Sequence, residues 1–78
     1  MEDETGIIRV VAETVKRARK AAGLSQEELA FEADLDRTYI SQVERRKRNV
    51  TIVVLARIAK ALKTTPDRLL IPPRKSKG

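Results

Sequence analysis

The sequence predicts an all-α domain of five helices, and three observations support this prediction. Apolar residues recur at spacings of three and four, the helical period, in several segments of the chain. Helix-start residues stand before four segments, at Ser25, Asp36, Thr51 and Thr65. No segment of useful length alternates apolar and polar residues as a strand does. A chain of 78 residues suits one small domain with a thin core.

The first predicted helix follows an acidic N-terminal end. Residues 1–6 carry three acids and no helical period, so we expect a disordered end there. An apolar stripe begins at Ile8, and Gly23 supplies the C-terminal cap. The stripe continues through Val11, Val15, Ala18 and Ala22.

A capping box predicts the start of the second helix. Ser25 and Glu28 form the pattern S-x-x-E, in which each side chain bonds a backbone N–H of the other, so the helix should begin at Gln26. Asp34 falls where the chain must leave this helix and turn, and Leu35 can plug the turn. The predicted inward residues are Leu29, Ala30 and Ala33.

The third helix should present one packed face and one free polar face. Asp36 is a good N-cap, and Ile40 and Val43 are the predicted inward residues. The opposite face carries Arg37, Thr38, Ser41, Gln42 and Arg45.

Two more helices complete the predicted domain. Thr51 can cap the fourth, and Thr65 followed by Pro66 opens a short fifth helix. Residues 72–78 are predicted to form a basic tail. The buried stripe of the fourth helix is predicted to contain Ile52, Leu55, Ile58, Ala59 and Leu62.

The run from Ser25 to Glu44 resembles the helix-turn-helix of the lambda-repressor-like, or XRE, transcriptional regulators. The resemblance rests on small Ala30, where two helices cross closely, and on the apolar residues at the motif positions of Leu29, Ala33, Leu35, Ile40 and Val43. It implies a five-helix DNA-binding domain over residues 7–71. The family usually has Gly at the turn, where this chain has Asp34; Asp tolerates a left-handed backbone better than most residues.

Within that family, the segment LDRTYISQVERRKRNVT is similar to the controller proteins of bacterial restriction–modification systems. Those controllers are small stand-alone dimers, so this resemblance implies a homodimer that reads a palindromic operator and regulates its own expression. An XRE-fold antitoxin or another protein-interaction module is the alternative. Lack of salt-dependent DNA binding would favour that alternative.

The resemblance implies base readout by Arg37, Thr38 and Gln42. Arg can bond guanine O6 and N7 together, and the Thr methyl can touch a thymine methyl. Gln42 could pair with adenine or reach a phosphate. The alternative for each is an ordinary solvated surface residue.

Other residues are expected to contact DNA phosphates. In the family a glutamine at the position of Gln26 bonds a phosphate, where the helix N-terminus also favours an anion. Tyr39 could instead cover the core with its ring, and the basic run could be a solvated loop. The remaining candidates are Tyr39, Ser41, Arg45, Arg46, Lys47, Arg48 and Asn49.

Arg19 and Glu44 match a family ion pair that links the first helix to the end of the third. We therefore assign them a structural role rather than a DNA contact.

Composition limits the other classes of function. There are 17 basic and 11 acidic residues, a net charge of +6, which favours a polyanionic partner such as double-stranded DNA. The absence of cysteine excludes disulfides and thiolate zinc sites, and with no histidine the usual general base is missing. We expect no enzyme activity, catalytic residue, metal or cofactor.

Partners and location complete the expectations. No apolar run approaches membrane-spanning length and the start, MEDET, is acidic, so we expect a cytoplasmic protein with no membrane association. Glu27 and Glu28 could contact RNA polymerase, and no small-molecule effector is expected. A homodimer could use Val53, Val54, Leu69, Leu70 and Ile71, although all five could instead be buried within the monomer.

Overall fold

A computed structural model describes residues 3–73 of the chain and contains five helices and no strand over that range. The helices are α1 Ile7–Ala21, α2 Gln26–Ala33, α3 Arg37–Glu44, α4 Ile52–Ala61 and α5 Pro66–Leu69. The predicted all-α class is thus confirmed. Of the expected basic tail, residues 74–78 lie outside the described residues.

Side chains cap the helix starts largely as predicted. The capping box of α2 is complete, with 3.0 Å from the Glu28 N–H to Ser25 Oγ and 2.8 Å from the Ser25 N–H to Glu28 Oε1. Asp36 accepts from the Thr38 N–H, and Thr51 caps α4 in the same way. The N-cap of α5, however, makes no side-chain cap bond.

The start of α1 is capped by a residue that the sequence prediction did not use. Asp3 accepts the Ile8 N–H at 2.9 Å through Oδ1 and the Arg9 N–H at 3.0 Å through Oδ2. A carboxylate at a helix N-terminus satisfies orphan N–H groups and opposes the positive end of the dipole. Residues 3–6 therefore have a capping role that the expectation of a disordered end over 1–6 did not include.

Four helices end on a residue with a left-handed backbone. Gly23 has φ 73°, and non-glycine residues take the same position at Asp34 (φ 58°), Arg46 (φ 63°) and Lys63 (φ 59°). After α1 the Leu24 N–H bonds the Arg19 carbonyl and the Gly23 N–H bonds that of Lys20, which is the Schellman arrangement. The sharp reversals it produces let short helices pack on one another.

The core lies where α1, α3 and α5 meet α2 and α4. Most predicted inward residues are buried there, but Ile52 is 81% exposed and its predicted burial is wrong. Three residues rotate the helix by 300°, so Ile52 lies roughly 60° from Leu55, at the edge of the stripe and in the first turn. The largest fully buried side chains are Leu29, Ile40, Ile58, Val15 and Val43.

The left-handed cap at Lys63 predicts that Lys63→Gly stabilises the domain. A side chain at positive φ costs about 1 kcal/mol that glycine does not, and added freedom of the unfolded chain offsets part of the gain. We expect the free energy of unfolding to rise by roughly 0.5 kcal/mol in urea titrations at fixed protein concentration.

Lys16→Gly is the matched control, because Lys16 is exposed inside α1. Glycine there should lower the free energy of unfolding by about 0.5–1 kcal/mol. A loss at both positions would show that the left-handed backbone at Lys63 carries no strain.

Candidate nucleic-acid interface

The turn between α2 and α3 sets the direction of the exposed helix. Asp34 adopts φ 58° and ψ 48°, and the Leu35 N–H bonds the Ala30 carbonyl at 2.8 Å. Asp34 therefore adopts the left-handed conformation that it was expected to tolerate in place of the family's glycine. Leu35 packs half-buried against the core, as a plug would.

Arg57 on α4 holds this turn from outside, and sequence reasoning missed it. Its Nε donates to the Ala33 carbonyl at 3.1 Å and its Nη2 to the Asp34 carbonyl, while the Asp34 carboxylate lies 3.7 Å away. A cation at the end of α2 satisfies carbonyls that have no partner within the helix. The only sequence signal was a cation beside the apolar stripe of α4, which does not reveal its partner.

The α3 helix has the two faces that the sequence predicted. Ile40 and Val43 are fully buried, while Arg37 and Thr38 in its first turn are exposed. Ser41 continues the outer face one turn later and is half-buried, as is Gln42. The outer face therefore presents a guanidinium, hydroxyls and an amide, the groups that bond base edges.

A buried ion pair fixes the far end of α3. Arg19 on α1 bonds Glu44 through Nε to Oε2 at 2.7 Å and through Nη2 to Oε1 at 3.0 Å, and its Nη1 donates to the Leu24 carbonyl at 2.8 Å. The Glu44 side chain is 3% exposed. The hydrogen bonds that Arg19 donates to Glu44 raise the pKa of Arg19 above its already high value, so the guanidinium stays charged.

Gln26 joins the same cluster. Its Nε2 donates to Glu44 Oε1 at 3.0 Å, which ties the start of α2 to the end of α3. A carboxylate only accepts, so the amide nitrogen must face it, and one of the two amide hydrogens is used in this bond. A phosphate contact by Gln26 would employ the second hydrogen or the backbone N–H at the helix start.

The basic loop after α3 is exposed from Arg45 to Asn49, and two of its cations also contact other side chains. Arg46 lies 3.5 Å from Glu13 of α1, and Arg48 donates to Gln42 Oε1 at 2.8 Å. Arg45, Lys47 and Asn49 are exposed. The run that looked uniform in the sequence thus contains cations with different surroundings.

Tyr39 lies under this loop. Its half-buried ring packs on the core, and the Arg48 guanidinium carbon lies 4.4 Å from the ring centroid. A cation over an aromatic face is attracted by the ring quadrupole. The sequence left two interpretations of Tyr39 open, a phosphate contact and a ring that covers the core. The structure shows the contact between the ring and the core.

The outer side of α2 forms an acidic face around an exposed phenylalanine. Phe31 is 85% exposed, and the surrounding groove is lined by Leu24, Glu27, Glu28 and Glu32. Sequence reasoning singled out the first two glutamates but missed Phe31. The available signal was its position three and four residues after Glu28 and Glu27, which places it on the same face of the helix as those acids.

None of the helices within residues 3–73 is long and apolar enough to cross a membrane. Over the same range no three His, Cys, Asp or Glu side chains are grouped in a way that could hold a metal ion.

Comparison with known protein families identifies the fold. Residues 15–69 match the model of the helix-turn-helix family HTH_3. The chain belongs to this family. It is a DNA-binding transcriptional regulator of the XRE type, and the predicted resemblance is confirmed.

Several control proteins have sequences similar to that of this chain. Control protein C.SmaI of Serratia marcescens is 48% identical over 64 residues, which are 82% of this chain and 76% of that protein. Control protein C.BamHI of Bacillus amyloliquefaciens is 53% identical over 49 residues, or 63% of this chain and 60% of that protein.

Solved structures agree with this fold. The hypothetical transcription factor NHTF from Neisseria has a TM-score of 0.86 at 40% identity, covering 94% of this chain and 84% of that one. The restriction–modification controller C.Esp1396I, solved as a tetramer with its natural 35-base-pair operator, has a TM-score of 0.75 at 40% identity, covering 81% and 83%.

The buried pair predicts a large loss of stability for Arg19→Met. Methionine keeps the hydrophobic stem but leaves the buried Glu44 carboxylate without its cation, which typically costs about 3 kcal/mol or more. We expect a correspondingly lower free energy of unfolding in urea titrations.

Arg9→Met is the matched control. Arg9 also faces a carboxylate, Glu13 Oε2 at 3.7 Å, but both side chains are largely exposed. Such a pair contributes about 0–1 kcal/mol, so the control should stay close to wild type. Equal effects at both positions would mean that burial does not distinguish the two pairs.

Proposed function

We propose that the protein is a homodimeric controller of a restriction–modification system that binds a palindromic operator and regulates its own expression. The proposal rests on the exposed polar face of α3, bordered by a basic loop, in a chain similar to several control proteins. One of the similar controllers is known bound to its operator as a tetramer. The proposed site of action is the cytoplasm.

Arg37, Thr38 and Gln42 are the proposed base readers. The first two stand in the first turn of α3, where the N-terminal residues of a recognition helix meet base edges. Arg37 is exposed, which leaves its guanidinium available for a bidentate bond to guanine. Gln42 lies one turn further along the same face.

The proposed phosphate contacts lie beside these readers. Gln26 would contact a phosphate from the start of α2, and the exposed Arg45, Lys47 and Asn49 would do so from the loop after α3. Arg46 and Arg48 retain exposed guanidinium groups that add positive potential even while they contact Glu13 and Gln42. Ser41 and Tyr39 remain proposed contacts through their hydroxyls.

A second copy of the chain is the proposed occupant of the apolar surface beside α4 and α5. Ile52 (81% exposed), Val53 (66%), Leu70 (40%) and Ile71 (58%) are far more exposed than a monomer requires. Ile52 and Leu70 line one pocket of about 110 Å³. Two-fold symmetry would bring the same patch of two chains together and set two α3 helices on successive half-sites.

Part of the surface that was expected to form the dimer interface is already buried within the monomer. Leu69 is 2% exposed and Val54 is half-buried, so neither offers much area to a partner. The proposed interface accordingly shifts from the five residues expected to the exposed ones at the start of α4 and after α5.

The acidic face of α2 is the proposed contact for RNA polymerase. Glu27 and Glu28 lie four and three residues before the exposed Phe31 and line the same groove, and aromatic residues are enriched at protein interfaces. A basic surface on the polymerase would complement it. Activation would then depend on these residues without a change in DNA affinity.

Arg37→Ala is expected to reduce affinity for a selected operator by about 1–3 kcal/mol and to relax the preference at one base pair per half-site. The lost bidentate bond is base-specific, so the loss should shrink on DNA of unrelated sequence. Gel-shift titrations on operator and unrelated DNA at one salt concentration measure both effects.

Lys47→Ala provides the comparison, since an exposed lysine is expected to contact the phosphate backbone. It should weaken binding to both DNAs alike and lower the salt slope by about one. Unchanged operator selectivity in the Arg37 variant would refute its role in base readout.

Ile52→Asp is expected to weaken dimerisation by about tenfold or more, because it buries a charge at an apolar interface. The monomer should fold normally, since Ile52 is exposed in the first turn of α4, where an acid suits the helix dipole. Sedimentation equilibrium gives the dissociation constant, and circular dichroism gives the helix content.

Phe31→Asp is the matched control, an equally exposed apolar residue on α2. It should leave the dimer constant unchanged. A dimer weakened by Phe31→Asp and not by Ile52→Asp would place the interface on α2 and contradict the proposed surface.

A further inference from the structure

Arg48 and Gln42 form a pair on the reading face that neither family membership nor charge explains. Arg48 Nη2 donates to Gln42 Oε1 at 2.8 Å, across six residues and the end of α3. The same guanidinium lies 4.4 Å from the centroid of the Tyr39 ring. Arg48 therefore contacts a proposed base reader and a residue that is anchored in the core.

The chemistry of the two groups decides which end of the amide faces outward. A guanidinium has only donors, so the amide atom that meets Arg48 must be the oxygen. Nε2, with two N–H donors, is then the end of the Gln42 side chain that is left for another partner. The orientation of this amide follows from the contact with Arg48.

Two backbone hydrogen bonds and the Tyr39 ring hold Arg48 in this position. The Lys47 N–H bonds the backbone carbonyl of Gln42 at 2.8 Å, and the Arg46 N–H bonds that of Val43 at 3.1 Å. These two bonds fix the backbone immediately before Arg48 on the last turn of α3. The half-buried Tyr39 ring supports the guanidinium from beneath, so little freedom remains to be lost on binding.

We propose that Arg48 is a positioning residue for specificity, which holds the Gln42 amide so that it presents N–H donors to guanine or thymine rather than pairing with adenine. Pairing with adenine requires Oε1 to accept from N6 while Nε2 donates to N7. The bond from Arg48 occupies one of the two lone pairs of Oε1 and sets a positive, donor-only guanidinium beside it, so an adenine N6 donor approaching the other lone pair would meet that charge. Guanine N7 and O6 and thymine O4 are acceptors that Nε2 can reach alone. This inference rests on the proposed function of α3 as the reading helix.

The first test selects bound sequences from a random DNA pool with wild type, Gln42→Ala and Arg48→Met. Wild type should prefer guanine or thymine at one position of each half-site, and Gln42→Ala should lose the preference there alone. Arg48→Met should admit adenine at that same position, with discrimination falling about fivefold, while the base read by Arg37 stays selected.

Lys47→Met is the matched control, a neighbouring exposed cation changed in the same way. It should weaken all sequences and leave every base preference intact. If Arg48→Met behaves like Lys47→Met, Arg48 is only a phosphate contact and the inference is overturned. Selection of adenine by wild type at the Gln42 position would overturn it as well.

A measurement without DNA separates this inference from the proposed function. Side-chain amide ¹⁵N relaxation of Gln42 in the free protein should show an ordered amide in wild type and a mobile one in Arg48→Met. A mobile amide in both proteins would overturn the pair itself. Failure of wild type to select any DNA sequence would overturn the proposed function, even with the amide ordered.

Discussion

The buried pair between Arg19 and Glu44 is the interaction on which the exposed helix depends. It joins α1 to the last residue of α3, and the same carboxylate accepts from Gln26 at the start of α2. Three helices of a small domain thus meet at one charge cluster that is nearly closed to water. Because a buried carboxylate without its cation is strongly unfavourable, the cluster permits few other arrangements of these helices. The end of α3 is held in place for that reason.

Helix ends, more than helix interiors, determine the shape around this cluster. The helices α2, α3 and α4 each end on a left-handed residue that is not glycine, and Arg57 adds bonds to the carbonyls at the end of α2. Each reversal costs some backbone strain, which the bonded carbonyls and the packing of the short helices offset. Strain and bonding together orient α3 relative to α2. The capping residues therefore help to set the position of the exposed face of α3.

Cations within a few residues of one another in this chain make different contacts. In the exposed loop after α3, Arg46 contacts Glu13 and Arg48 contacts Gln42 and Tyr39. A guanidinium that contacts a protein side chain keeps its charge and still contributes positive potential. Net charge favours attraction to a polyanion, and the contact with Arg48 explains how the Gln42 amide is oriented. The acidic face around Phe31 then stands apart as the surface suited to a protein partner.

The sequence by itself determined the helices, their starts, and the residues facing in and out on α3, because capping and helical period act within a few residues. It also led to the correct family. It misplaced Ile52, which lies in the first turn of α4, where the neighbouring helices do not cover it. Only the tertiary structure revealed Arg57 at the turn, Gln26 on Glu44 and Arg48 on Gln42. Those contacts join side chains from different helices and loops, and a linear pattern carries no information on which long polar side chains meet.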